Sequence, residues 1–143
     1  MPSRVRACAA PGEGFGNRLS LAMLAGCVPV IVQPAVLQPF EGVLPFSNFS
    51  LRLGSEDVPI LHEILAEITP ERHEALRRGV RLHAAAFSWD GEHGRAYEHL
   101  RFSLCQRAAR AEGKPEVACF HLRPSTLPRT RYARGGVQGW HGT

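Results

Sequence analysis

Aspartate is almost missing from this chain: in 143 residues only Asp57 and Asp90 occur, and they lie far apart. No Asp-x-Asp pair is available to hold a divalent cation, so a metal site is unsupported. Cysteine is scarce too, and the four present form no CxxC pair, which removes both a zinc framework and a dense disulfide scaffold. The seven histidines contain neither HxxxH nor HExxH, and His93 and His99 are wrongly spaced for one helix face, so surface or capping roles are expected. Cys105, Cys119 and His121 would share a zinc only by accident of folding. No GxxxxGK[ST] loop, GxGxxG fingerprint, Gly-x-Ser-x-Gly elbow or Cys/His dyad is present. Long hydrophobic runs are also lacking: the longest lies within Leu19 to Val32 and is broken by Pro29, so no signal peptide or membrane span is read from this sequence.

What the chain does contain fits one domain with a real core, since 44% of its residues are hydrophobic. The net charge is +4, carried almost entirely by arginines scattered among carboxylates, and only Arg123 to Arg134 is concentrated. A basic face for an anionic ligand explains this balance as well as nucleic acid does.

The stretch Pro11 to Gln33, PGEGFGNRLSLAMLAGCVPVIVQ, reads as a glycine turn, a short helix and a buried strand. Gly12, Gly14 and Gly16 alternate with Glu13 and Phe15, so a ligand can approach the backbone without meeting Cβ atoms. From Arg18 the apolar positions Leu21, Ala22, Leu24 and Ala25 follow helical spacing, Asn17 is placed to cap the first turn, and Gly26 suits a left-handed stop. Val28 to Gln33 is Val- and Ile-rich, the pattern of a strand buried on both faces of a parallel sheet. With Val5 to Ala9 as the preceding strand, the unit is β-α-β, and the glycine turn falls on the strand edge where α/β sheets bind ligands. Arg18 sits at a helix N-terminus, which is unfavourable for a cation. It either snorkels to solvent or faces an anion such as a diphosphate in the glycine turn. Cys8 and Cys27 fall on neighbouring strands, and buried free thiols are preferred here over a disulfide.

Pro34 to Ser47 carries three prolines and is expected as a loop at the ligand edge. Phe40 and Phe46 pack against the core, or Phe40 borders a ligand, with Glu41 the nearest carboxylate. Phe49 to Leu53 is a short strand. Ser55 caps a helix whose stripe Leu61, Ile64, Leu65 and Ile68 covers the sheet. Thr69-Pro70 starts the next helix, with Leu76, Val80 and Ala84 inward, and Phe87 to Asp90 breaks it. A last helix from about Gly94 to Glu112 turns Tyr97, Leu100, Leu104 and Ala108 inward and stops at Gly113. The domain therefore spans 1–113, and 114–143 is read as an Arg/Pro/Gly-rich, poorly ordered tail in which Val117 to Leu122 is at most a stray strand.

Taken together, GFGNR, GCVPVIV, Pro39 with Phe40 and the SEDVPILHEIL segment resemble the C-terminal half of exostosin-like glycosyltransferases, glycosyltransferase family 47, over roughly residues 3 to 110. The resemblance implies an α/β fold, a Rossmann-like parallel sheet with flanking helices, like the C-terminal donor-binding domain of a GT-B enzyme. It implies a nucleotide-sugar donor as substrate, a glycan acceptor, no permanently bound cofactor, and a Golgi location through an anchor not seen in this sequence. By the same resemblance, Gly12, Gly14, Gly16, Asn17 and Arg18 would bind the donor diphosphate, and Phe15, Leu21, Pro39, Phe40 and Glu41 would border the donor. Many family members carry an acidic residue where this chain has Leu21, which bears on donor choice. Neither a catalytic base nor a metal ligand is assigned. The length suits only the donor half, so the acceptor half is expected from another segment or partner domain, and the chain alone is expected to be inactive. The alternatives are a non-catalytic nucleotide-sugar-binding module and, third, a nucleic-acid-binding protein acting through Arg123 to Arg134.

Overall fold

The computed structural model describes residues 7–10, 17–33, 35–125 and 127. Three short parallel strands, β1 (Ala7–Ala10), β2 (Val28–Ile31) and β3 (Leu51–Arg52), lie in the order β1-β2-β3. All four residues of β2 are buried, as its unbroken apolar sequence requires of a central strand. Pro29 has no N–H to give, and β3 pairs with β2 only from Val30 onward, so the proline lies outside that ladder. Helix α1 (Arg18–Leu24) links β1 to β2 and stops at Gly26, whose φ of 72° is the left-handed conformation expected there.

Other expectations at this unit are corrected. Asn17 has helical angles and makes no side-chain cap; only its carbonyl is used, accepting from the Leu21 N–H at 2.9 Å. The inward face of α1 is Leu19, Ala22 and Met23, whereas Leu21, Leu24 and Ala25 are exposed. Cys8 and Cys27 are joined in a disulfide rather than left as thiols. The β1-β2 register brings their Cα atoms to 5.7 Å, within the range a disulfide spans.

Beyond β3, Ser55–Ile60 is a 3-10 turn capped at Gly54, not at Ser55, and it leads into the short helix α2 (Leu61–Ala66). The α2 stripe buries no residue fully and does not cover the sheet; α1 and α3 (Pro70–His83) pack on β2 instead. Thr69 caps α3 as its sequence implies, its hydroxyl accepting from the Arg72 N–H at 3.2 Å with Pro70 opening the helix. Leu76 and Val80 enter the core beside Phe46, Phe49 and Phe87, whose rings meet at 4.7 to 6.4 Å. Gly79 permits that contact, because a Cβ there would stand 2.0 Å from the Asn48 carbonyl oxygen.

Helix α4 (Ala96–Ala111) is rotated relative to its hydrophobic pattern. Ala96, His99, Phe102, Gln106 and Ala109 are buried, whereas Tyr97, Leu104 and Ala108 are exposed. The buried stripe has proper helical spacing but includes a histidine and a glutamine, so a purely apolar count misses it. His73 and His83 are buried as well, which corrects their expected surface placement.

The chain after Gly113 does not leave the domain at once. Glu116–Leu122 forms a 3-10 helix packed along α4, Cys119 is fully buried and bonded to Cys105, and Leu127 reaches the core. Among the described residues no helix is long and apolar enough to cross a membrane.

Candidate functional site

The C-terminal ends of β1, β2 and β3 lie at one edge of the sheet, since all three strands are parallel. That edge is where open α/β sheets place ligands. Of the sequence-predicted diphosphate residues, Arg18 opens α1 after β1 and is exposed, and Asn17 precedes it, also exposed. Gly12, Gly14, Phe15 and Gly16 lie outside the described residues. Leu21 stands one turn after Arg18 on α1, 63% exposed, at the position where an acidic side chain was the family expectation.

The second part of this edge is the loop after β2. Arg52, at the end of β3, donates from Nη1 to the Gln33 carbonyl at 3.3 Å and from Nη2 to Glu41 Oε1 at 2.5 Å. The other Glu41 oxygen accepts the Gln38 N–H at 2.7 Å. Both carboxylate oxygens of Glu41 therefore hold the loop in place. The turn closes when the Phe40 carbonyl accepts from Val43 and Leu44, both at 2.8 Å. Phe40 has a φ of 63°, the one non-glycine with left-handed backbone among the described residues. An aromatic residue there is held against its own preference, a feature that clusters at ligand sites. Its half-buried ring meets Phe87 at 6.0 Å and His99 at 5.8 Å, so Phe40 packs on the core as expected. Phe46 is buried, and Pro39 is half-buried in the same loop.

Between this loop and α4 lies a cavity of about 400 Å³, with Phe40 and Glu41 on one wall and Gln106, Arg107 and Arg110 on the other. The α4 residues are not among those singled out from the sequence. A signal was present in the i, i+3, i+4 spacing of Gln106 to Ala109 and Arg110, but it is legible only once the buried face of α4 is known.

Two buried histidines lie against the core aromatics, His99 beside Phe40 and His83 beside Phe49. Burial pushes the His83 imidazole below its ordinary value, and nearby His99 adds to the shift. Burial likewise lowers His99, against the Arg95 carbonyl 2.9 Å from its Nδ1, which favours the protonated ring. Both rings are held neutral and serve as packing. No group of His, Cys, Asp and Glu placed to hold a metal ion occurs among the described residues.

Residues 7–68 match the Exostosin GT47 domain. This segment contains β1, α1, β2, the 35–45 loop and β3, that is, all three strands and the loop at their C-terminal edge. Among curated proteins, a probable glycosyltransferase of Arabidopsis thaliana is 34% identical over 79 residues, 55% of this chain and 17% of the relative. A probable beta-1,4-xylosyltransferase of the same plant is 27% identical over 114 residues, covering 77% of this chain and 26% of the relative. The protein named Probable glucuronosyltransferase 47 A in Physcomitrium patens is 27% identical over 132 residues, 88% of this chain and 28% of the relative. The chain thus spans well under a third of the length of each of these relatives. With the domain match falling on the strands and loops of the sheet edge, residues 7–68 of this chain are similar to the exostosin domain of glycosyltransferase family 47.

Proposed function

We propose that this chain supplies the donor-binding part of a glycosyltransferase that moves a sugar from a nucleotide-sugar donor to a glycan acceptor, as the Rossmann-like C-terminal half of a GT-B enzyme. The observation that carries the reading is the parallel β1-α1-β2 unit inside the matched segment, with Arg18 as the first residue of α1 at the C-terminal edge of β1. Breaking a bond to a nucleoside diphosphate requires its growing negative charge to be met by fixed donors. Arg18 offers a guanidinium fork for two phosphate oxygens. Helix α1 has only seven residues, so the guanidinium rather than the helix dipole supplies most of that attraction. Gly12, Gly14, Gly16 and Asn17 would let the diphosphate approach the main chain. Phe15, Leu21 and Pro39 would border the donor. In this reading Glu41 acts by holding the loop, because Arg52 and the Gln38 N–H already occupy its oxygens.

The acceptor surface and the base for the acceptor hydroxyl would come from another segment or partner domain. A Golgi lumen suits the family, and two disulfides, Cys8–Cys27 and Cys105–Cys119, suit an oxidising compartment. The testing experiment is calorimetric titration with nucleoside diphosphates and nucleotide sugars: saturable binding that depends on Arg18 supports the proposal, and no binding of any of them overturns it.

One observation favours a second reading, a nucleotide-sugar-binding module without turnover: the exposed, uncharged Leu21 beside Arg18 removes a contact expected of active members. A complete protein containing this chain that binds donor without transferring sugar would establish it. The nucleic-acid alternative rests on Arg123 to Arg134, most of which lies outside the described residues.

A further inference from the structure

The cavity between the 37–43 loop and α4 has its own chemistry, separate from Arg18 and the glycine turn. Leu37, Phe40 and Val43 give it an apolar wall, and Ser103, Arg107 and Arg110 give it hydroxyl and guanidinium groups. Gln106 also lines it and is 8% exposed. Its Nε2 donates to Glu116 Oε2 at 3.4 Å, while its Oε1 is buried with no hydrogen-bond partner among the described residues. A buried acceptor without a donor is unfavourable, and such groups in native proteins call for an explanation such as a bound molecule. Glu116 also receives Arg110 Nε at 2.5 Å, so one carboxylate fixes both Gln106 and Arg110. The Cys105–Cys119 disulfide clamps the Glu116–Leu122 segment that carries it. On the opposite wall, Glu41 is neutralised by Arg52, and Phe40 keeps its left-handed backbone. The polar wall is therefore ordered before any ligand arrives, with Arg107 the cation in it that takes part in no ion pair among the described residues.

A molecule matched to these walls has an apolar face for Phe40 and Leu37, a hydroxyl to donate to Gln106 Oε1, and an anionic group for Arg107 and Arg110. At about 400 Å³ the cavity is of monosaccharide to small-disaccharide size. We infer that it is a binding site for a hydroxyl-bearing anion of monosaccharide size, a sugar acid or a sugar phosphate. This inference does not depend on the donor-site reading.

The test is titration of the full chain, by calorimetry and ligand-observed NMR, with glucuronate, glucose 6-phosphate and glucose. At least one of the two anions is expected to bind, and to bind about tenfold or more tightly than glucose, the scale of one charge-assisted hydrogen bond. The stronger of the two identifies carboxylate or phosphate as the anionic group. Arg107→Ala leaves the fold intact, because the side chain is exposed, and is expected to weaken the anion about five- to tenfold. Gln106→Leu is expected to weaken the anion and glucose alike, so that the anion-to-glucose ratio, set by Arg107 and Arg110, is kept without loss of melting temperature. Arg18→Ala is expected to leave anion binding unchanged, which separates this site from the donor site. Failure of both anions to bind, equal binding of glucose, or indifference to Arg107→Ala would each overturn the inference.

Discussion

Glu41 and Arg52 meet at 2.5 Å at the C-terminal edge of the sheet, joining the loop after β2 to the end of β3. Each partner makes a second bond inside the same edge, Glu41 to the Gln38 N–H and Arg52 to the Gln33 carbonyl. The pair is about a quarter exposed, so its own worth is modest, but it fixes the turn in which Phe40 is held left-handed. Glu41→Ala and Arg52→Ala should each lower unfolding free energy by roughly 1–2 kcal/mol. A double-mutant cycle by urea unfolding should return a coupling of about 0.5–1 kcal/mol; additive losses would show the pair to be incidental.

Arg18→Ala should weaken nucleoside diphosphate or nucleotide-sugar binding by roughly 1.5–3 kcal/mol, the worth of a charge-assisted hydrogen bond. The melting temperature without ligand should hold, because the side chain is exposed at the start of a seven-residue helix. Unchanged affinity beside a wild type that binds, or a large loss of ligand-free stability, would make Arg18 a structural residue.

Gly79→Ala would normally favour a helix by about 1 kcal/mol. In α3 the added Cβ meets the Asn48 carbonyl oxygen at 2.0 Å and its carbon at 2.8 Å, main-chain atoms that cannot rotate away. The cost of forcing α3 from this loop, roughly 1–3 kcal/mol or more, outweighs the propensity gain. A lower urea midpoint with an unchanged m-value is expected. A stabilised variant would mean that the helix and the Asn48 turn move apart easily.

Truncation after Gly113 should destabilise the domain, since it removes buried Cys119 and Leu127 and the disulfide to Cys105. The disulfide alone, closing a loop with a sequence separation of 14, is worth about 3 kcal/mol in the chain-entropy account. The melting temperature should fall by more than about 8 °C. Thermal melts of the truncated chain and of the Cys105→Ser, Cys119→Ser double variant separate the packing contribution from the covalent one. A truncated chain as stable as the full one would return the domain boundary to Gly113.

Stability should decline in mild acid through His83 and His99. Burial lowers both from the ordinary value of 6.5, so in the pH range between that value and their folded values the unfolded chain binds more protons. Their contribution is fully present above pH 6.5 and is lost as pH falls toward the depressed folded values. Near His99, Arg95 opposes its protonation and Glu98 favours it, and these two are themselves paired at 2.9 Å. Melting curves at about pH 7.5 and pH 5 should show the lower transition in acid, with His83→Asn reducing the difference. A flat profile would show that these rings protonate without resistance.

The sequence by itself determined the β1-α1-β2 order, the buried central strand, the start of α3 at Thr69-Pro70 and the stops at Gly26 and Gly113. These depend on interactions within a few residues: a hydroxyl reaching an N–H three positions on, a glycine free to take positive φ, an unbroken β-branched run. It also carried the exostosin resemblance, because GCVPVIV and the Pro39-Phe40 turn are contiguous strings. Only the tertiary structure decided which face of α4 is buried, how the cysteines pair, that three histidines lie inside, and that Glu41 meets Arg52. Each of those is set between residues distant in the chain or on facing elements, where the neighbour's shape and charge outweigh local preference. Tyr97 and Leu104 look inward by hydrophobicity, yet Phe40 and the Glu116 segment, packing on the other side of α4, bury His99 and Gln106 instead.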